Sequence, residues 1–170
     1  MKNTDTKEKI LELLFQFPLK SWHIREIAKT LSIAPASISK SADKLEKEGL
    51  LTIKRKFWHE INANLSQKFK IKKRIYNLKS IYDSGLYGFL NENFPLDTIV
   101  LFGSYSRGED TEKSDIDIAI ETKEKKLDLE KYEQKLNRRI NIEFIEFNKL
   151  TKELKENIIN GISLQGFIKW

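Results

Sequence analysis

Apolar residues recur at helical spacing through the first half of the chain and at alternate positions through much of the second. Over residues 6–17, Ile10, Leu13, Leu14 and Phe17 fall on one helical face, and Pro18 closes the run. Ser21 is placed to cap a second helix carrying Ile24, Ile27, Ala28 and Leu31. After a break at residues 32–34, Pro35 suits the first turn of a third helix with Ile38, Ala42 and Leu45 on one side. Gly49 suits the left-handed end of that helix. Residues 50–54 and 57–61 are rich in β-formers and flank Arg55 and Lys56, which predicts a hairpin. From 66 to 91, Phe69, Ile71, Ile75, Leu78, Ile81, Leu86 and Leu90 predict one or two helices, with Gly85 and Gly88 as points of bending or division.

Residues 97–102, DTIVLF, form a short β-branched run that reads as a buried strand. It leads into Gly103 and Ser104 and then a single short helix ended by Gly108. After a polar loop, DIDIAI alternates Asp115 and Asp117 with Ile116 and Ile118, so a strand would present both carboxylates on one face. Residues 127–136, with Leu129 and Tyr132, predict an amphipathic helix. INIEFIEF, residues 140–147, predicts a strand, residues 150–159 a last helix, and an apolar segment follows Gly161.

Composition narrows the function classes. No run of eighteen apolar residues occurs, so no membrane span is expected. Residues 1–9 are polar, unlike a secretory leader, and cysteine is absent, which excludes disulfides and cysteine-based zinc sites. A cytoplasmic protein is expected. The net charge of +6 is unevenly spread: residues 1–91 hold 18 Lys/Arg against 9 Asp/Glu, and residues 92–170 hold 13 against 16. A basic front half is a candidate for nucleic acid. Lysine abundance throughout a proteome is the bland alternative, but it would load both halves alike.

Two like charges on one strand face repel, and a cation between them removes that cost. Oxygen-only ligands favour Mg²⁺, which shares its shell with phosphates. Gly103 would let a phosphate approach the backbone, Ser104 would offer a hydroxyl, and Arg107, three residues on, could clamp a terminal phosphate. Together these parts suit in-line phosphoryl or nucleotidyl transfer.

On these residues the stretch LFGSYSRGEDTEKSDIDIAI resembles the signature of the DNA polymerase β nucleotidyltransferase superfamily, and within it the minimal nucleotidyltransferases; Ser106 stands where alanine is usual. The resemblance implies a site built on Gly103, Ser104, Arg107, Asp115 and Asp117, with Mg²⁺ as cofactor and ATP as substrate. It also implies a third carboxylate on a later strand, for which Glu143 has the right parity and Glu146 the wrong one. If Glu143 does not serve, the site binds nucleotide without transfer.

The first half, through IREIAKTLSIAPASISKSADKLEKEGLL, resembles the winged-helix regulators. That implies a third helix presenting Ala36, Ser37, Ser39, Lys40, Ser41 and Lys44 to duplex DNA, with Arg55 and Lys56 at the wing tip. Ala34 departs from the Ser or Thr cap such helices usually carry.

The expected architecture is therefore α+β: a winged helix-turn-helix over residues 1–65, a helical connector over 66–92, and a small mixed-sheet nucleotidyltransferase domain over 93–170. The expected activity is transfer of AMP from ATP to a protein or RNA hydroxyl by a homodimer that binds DNA. Minimal nucleotidyltransferases often act as antitoxins, which implies a small helical HEPN-type toxin as partner. A transcription regulator that senses nucleotide, and a nucleic-acid-modifying transferase, are the other readings.

Overall fold

The computed structural model describes residues 5–55, 57 and 59–168, so the wing-tip expectation for Lys56 lies outside the described residues. The described residues are α+β, with two sheets among them. The chain divides into two compact units, Met1–Lys73 and Arg74–Trp170, and the division falls inside one long helix.

The first unit begins with α1 (Thr6–Gln16), capped by the Asp5 carboxylate on the Lys7 amide. Strand β1 (Trp22–His23) follows, then α2 (Ile24–Leu31) and α3 (Pro35–Lys47). Ser21 is thus not the cap of α2. Trp22 is buried and pairs across to Ile61, so sheet formation holds Trp22 and His23 extended and delays the helix to Ile24. Ser32 in the left-handed region ends α2, Pro35 opens α3, and Ala34 supplies no side-chain cap. Strands β2 (Leu51–Arg55) and β3 (His59–Ala63) form the expected hairpin, and the sheet order is β1-β3-β2, antiparallel throughout. Ile10, Leu14, Ile27, Ile38, Leu45, Leu50 and Ile61 are fully buried and make up its core.

The stretch from 66 to 91 supplies α4 (Gln67–Asp83) and α5 (Leu86–Asn93), divided at Gly85, whose φ of +84° is left-handed. The buried face of α4 differs from the apolar pattern. Phe69, Lys73, Asn77 and Ile81 are buried at four-residue spacing, while Ile71 and Ile75 are exposed. Asn77 is held there by polar partners on the second unit's own loop, described below, which its hydropathy does not reveal.

The second unit carries a four-stranded mixed sheet of β4 (Ile99–Phe102), β5 (Ile116–Ile120), β6 (Ile140–Phe144) and β7 (Ile162–Gln165), ordered β6-β5-β4-β7. Strands β5 and β6 are parallel, joined through α7 (Glu130–Leu136), and the other pairs are antiparallel. The short helix α6 (Gly103–Arg107) leaves β4, and α8 (Lys152–Ile159) precedes β7. Alternation assigns the faces. Ile99, Leu101, Ile116, Ile118 and Ile140 pack with Ile81, Leu86, Leu90 and Tyr132 in the main core. Val100, Phe102 and Ala119 face the other way, against Ile145, Phe147 and Ile158. The strand expected over 140–147 stops at Phe144, and a single 3-10 turn (Phe147–Lys149) follows. Strand β7, which the apolar segment after Gly161 did not predict as a strand, closes the sheet's far edge.

Candidate functional site

The face of the sheet that carries Phe102 and Ala119 also carries the acidic residues. In the β4–β5 register Phe102 lies opposite Asp117, so the chain turns into α6 beside that carboxylate. Gly103 has φ of +71°, and a Cβ there would collide with the Asp117 carboxylate, its Cγ only 3.2 Å away. Glycine therefore serves two ends: it permits the left-handed turn and lets the Asp117 side chain lie against the backbone. Ser104 is half-buried in the first turn of α6. Ser106 is buried, and its hydroxyl donates to the Gly103 carbonyl at 2.9 Å, a bond that alanine at this position could not make.

The loop after α6 is anchored from below. The Asn77 amide donates to the Tyr105 carbonyl at 2.9 Å and to the buried Asp110 carboxylate at 2.7 Å. Burial, with Asp110 nearby, pushes the Tyr105 phenol far above its usual range. This buried polar set fixes the polar loop that leads to Asp115.

Asp115 is exposed just before β5, and Asp117 is half-buried on it. Burial raises the Asp117 carboxyl above the usual carboxylate range; Asp115 and Glu143 add to the rise, and a hydrogen bond from Asn141 and the charge of Arg107 oppose it. Arg107 is exposed and its Nε donates to Glu109 at 3.0 Å. Gly103, Ser104, Arg107, Asp115 and Asp117 thus gather at one end of the sheet.

Glu143 is placed differently. It lies on the expected face of β6, but its register partner is Ala119, and the residue directly opposite Asp117 is Asn141. The Asn141 amide donates to Asp117 Oδ1 at 3.3 Å and to Glu143 Oε1 at 3.2 Å. Among the described residues no group of three or more His, Cys, Asp or Glu side chains that could hold a metal ion is present, although Asp115 and Glu143 both lie near enough to Asp117 to raise its carboxyl. Glu146 lies beyond the strand, exposed and paired with Lys149 at 2.6 Å. Two carboxylates beside a glycine turn are a donor set that fits one Mg²⁺ shared with phosphate oxygens. Asn141 was not singled out from the sequence. Strand parity alone puts it on the face of Glu143, but only the long-range register places it against Asp117.

In the first unit, Ala36, Ser39, Lys40, Asp43, Lys44 and Lys47 line a shallow groove of about 490 Å³ along α3. Ala36, Ser37, Lys40 and Lys44 are exposed, whereas Ser39 and Ser41 are half-buried. Arg55 is not extended from the hairpin. Its guanidinium grips Glu46 at 2.6 Å and Asp43 at 2.9 Å, and Glu46 also accepts from the Ile53 amide at 2.8 Å. This clamp ties β2 to α3.

Residues 85–165 match the family model described as polymerase beta, nucleotidyltransferase, a span that runs from just before α5 to the end of β7. Two proteins of Methanocaldococcus jannaschii named as candidate protein adenylyltransferases, MJ1379 and MJ1215, are each 56% identical over 32 residues, or 19% of this chain. Those matches span 32% and 37% of the relatives, so the chain covers about a third of their length. Among solved structures, the adhesin competence repressor of Streptococcus pyogenes is 22% identical, covering 55% of this chain and 69% of its own, with a TM-score of 0.37. At that score the two chains are not alike enough to assign a shared fold. The family match and the Methanocaldococcus jannaschii relatives support a nucleotidyltransferase domain in the second unit.

Proposed function

We propose that this chain is a DNA-binding protein whose second unit binds a nucleoside triphosphate, ATP in the first instance, together with Mg²⁺. The observation that carries the reading is the apposition of the Gly103 turn to Asp117, which sets a left-handed backbone turn with no side chain directly against a carboxylate. Asp115 and Asp117 would hold the ion, which would supply charge neutralisation of the phosphates. Gly103 and Ser104 would receive the phosphates, and Arg107 would exchange Glu109 for a phosphate oxygen. The family match supports nucleotidyl transfer in general, and the reaction proposed is transfer of AMP to a protein or RNA hydroxyl with release of pyrophosphate. The second reading, a regulator in which bound nucleotide alters DNA binding without transfer, is favoured by the amide of Asn141, which is bonded to both Asp117 and Glu143, the expected third carboxylate.

For the first unit the proposal is a winged helix-turn-helix on duplex DNA, with α3 in the major groove. Its support is the charge asymmetry of the sequence, the three helices followed by a hairpin, and the three lysines of the α3 groove. Ala36, Ser37, Ser39 and Ser41 would allow close approach, and Lys40 and Lys44 would meet phosphates. Arg55 orients the hairpin through Asp43 and Glu46 and adds no phosphate contact of its own. A homodimer and a helical HEPN-type toxin partner belong to the same proposal.

One experiment separates the readings. Intact protein is incubated with Mg²⁺ and labelled ATP, with bulk RNA and the product of the adjacent gene as acceptors, while duplex binding is followed with and without Mg²⁺·ATP. Label transfer with pyrophosphate release would establish the transferase. A shift in duplex affinity of about fivefold or more without any labelled product would establish the regulator, since coupling free energies of 1–3 kcal/mol are typical. The absence of both results would remove the functional proposal.

A further inference from the structure

We infer that the nucleotide site takes one divalent ion, on the triphosphate side, and that Asn141 is the residue that withholds a second. This deepens the nucleotide-binding reading and rests on it. The register of β5 against β6 sets Asn141 directly across from Asp117 and sets Glu143 across from Ala119, one step farther along the same face. The Asn141 Nδ2 group reaches Asp117 Oδ1 at 3.3 Å and Glu143 Oε1 at 3.2 Å. The two N–H bonds of an amide diverge by about 120°, so the two oxygens they serve stand roughly 5–6 Å apart. Two ligands of one Mg²⁺, each about 2.1 Å from it, stand no more than about 4 Å apart. Asp117 and Glu143 therefore cannot share an ion while the amide lies between them.

The amide also takes over the electrostatic task of a cation. Its two hydrogens carry partial positive charge toward two carboxylates on one sheet face, and its nitrogen has no lone pair to offer a metal. The other oxygen of Asp117, Oδ2, lies against Gly103, on the side where a triphosphate would arrive. Asp115 and that oxygen can hold one ion on the phosphates. On the acceptor side the chain presents an amide and a displaced glutamate, so a hydroxyl there would not be metal-activated.

The test counts ions. Mn²⁺ is titrated into the intact protein at saturating ATP, and bound Mn²⁺ is measured by electron paramagnetic resonance, with a protein-free ATP blank. Wild type is expected to hold one Mn²⁺ per chain beside its bound ATP. Asn141→Asp, which replaces the donor with a ligand opposite Asp117, is expected to hold two. Two ions in wild type would overturn the inference whatever the variant does. A folded Asn141→Asp protein that still binds one would overturn the role of Asn141. Wild type that binds no Mn²⁺·ATP at all would instead remove the nucleotide-binding reading on which the inference stands.

Discussion

Asp117→Asn is expected to raise the thermal midpoint of the ion-free protein at neutral pH and to abolish the further rise that Mg²⁺ and ATP give the wild type. The first effect follows from the raised carboxyl of Asp117, caused chiefly by burial and then by Asp115 and Glu143. A carboxyl raised in the folded state binds its proton more tightly there than in the unfolded chain, whose value is about 3.9. Between those two values the folded state carries more protons, so stability falls as pH rises and the full cost is present above the folded value. Asparagine removes that cost. The gain should be largest at neutral pH and vanish below about pH 4, where both states are protonated. The second effect is mass action: ligand at about 100 times its Kd stabilises the native state by about 2.7 kcal/mol. For a unit of this size that is about 10 °C or more. Scanning calorimetry of both proteins from acid to neutral pH, with and without Mg²⁺·ATP, checks each part. A variant less stable than wild type in the absence of ions, or an undiminished Mg²⁺·ATP rise, would show the carboxylate to have another role.

The double substitution Lys40→Ala, Lys44→Ala is expected to weaken duplex binding on the order of 10- to 100-fold at moderate salt. Each lysine that neutralises a phosphate contributes about 0.9 to the slope of log affinity against log salt. Losing two per protomer should flatten that slope by about two, or by about four for a dimer on a two-fold site. Arg55→Ala should behave otherwise. Its guanidinium already serves Asp43 and Glu46, so the slope should stay near that of wild type while affinity falls through a looser hairpin. Fluorescence anisotropy over a salt series separates the two kinds of effect. A double variant with unchanged slope would take α3 out of the interface, and an Arg55→Ala slope flattened by one contact would restore Arg55 to the phosphate backbone.

Much of this arrangement is legible in the sequence, because local signals are strong where side chains alternate against a core. The Asp115/Asp117 alternation, the Gly103 turn and the α6 stop at Gly108 lie within one continuous stretch, and each is set by neighbours close in sequence. Glu143 was read on the right face for the same reason. Its distance from Asp117 was not legible, since a strand's own parity says nothing of its register against a partner, and register places Asn141 between them. An amide also carries no charge to draw the eye in a search for metal ligands. The buried face of α4 escaped notice for a related reason: Asn77 is inside because the Tyr105 carbonyl and Asp110, about thirty residues away, need its amide. Strand β1 was missed because two residues show no period, and Trp22 extends only by pairing with a hairpin forty residues on. Arg55 was read with Lys56 at the wing tip, and its two carboxylate partners, which lie within twelve residues, were visible only once α3 and β2 were packed together.

The central claim is that the Gly103 turn and the Asp115/Asp117 pair form one nucleotide site that works through a divalent ion. Titration calorimetry of ATP into the intact protein tests it most directly, run in Mg²⁺, in EDTA, and in Mg²⁺ with Gly103→Ala. A Cβ at that position meets the Asp117 carboxylate and must take a left-handed φ, a strain on the order of 1–2 kcal/mol. The account predicts one ATP per chain in Mg²⁺, binding lost in EDTA, and binding weakened at least tenfold in Gly103→Ala protein that remains folded. Equal ATP binding in Mg²⁺ and EDTA, or undiminished binding by folded Gly103→Ala, would contradict it.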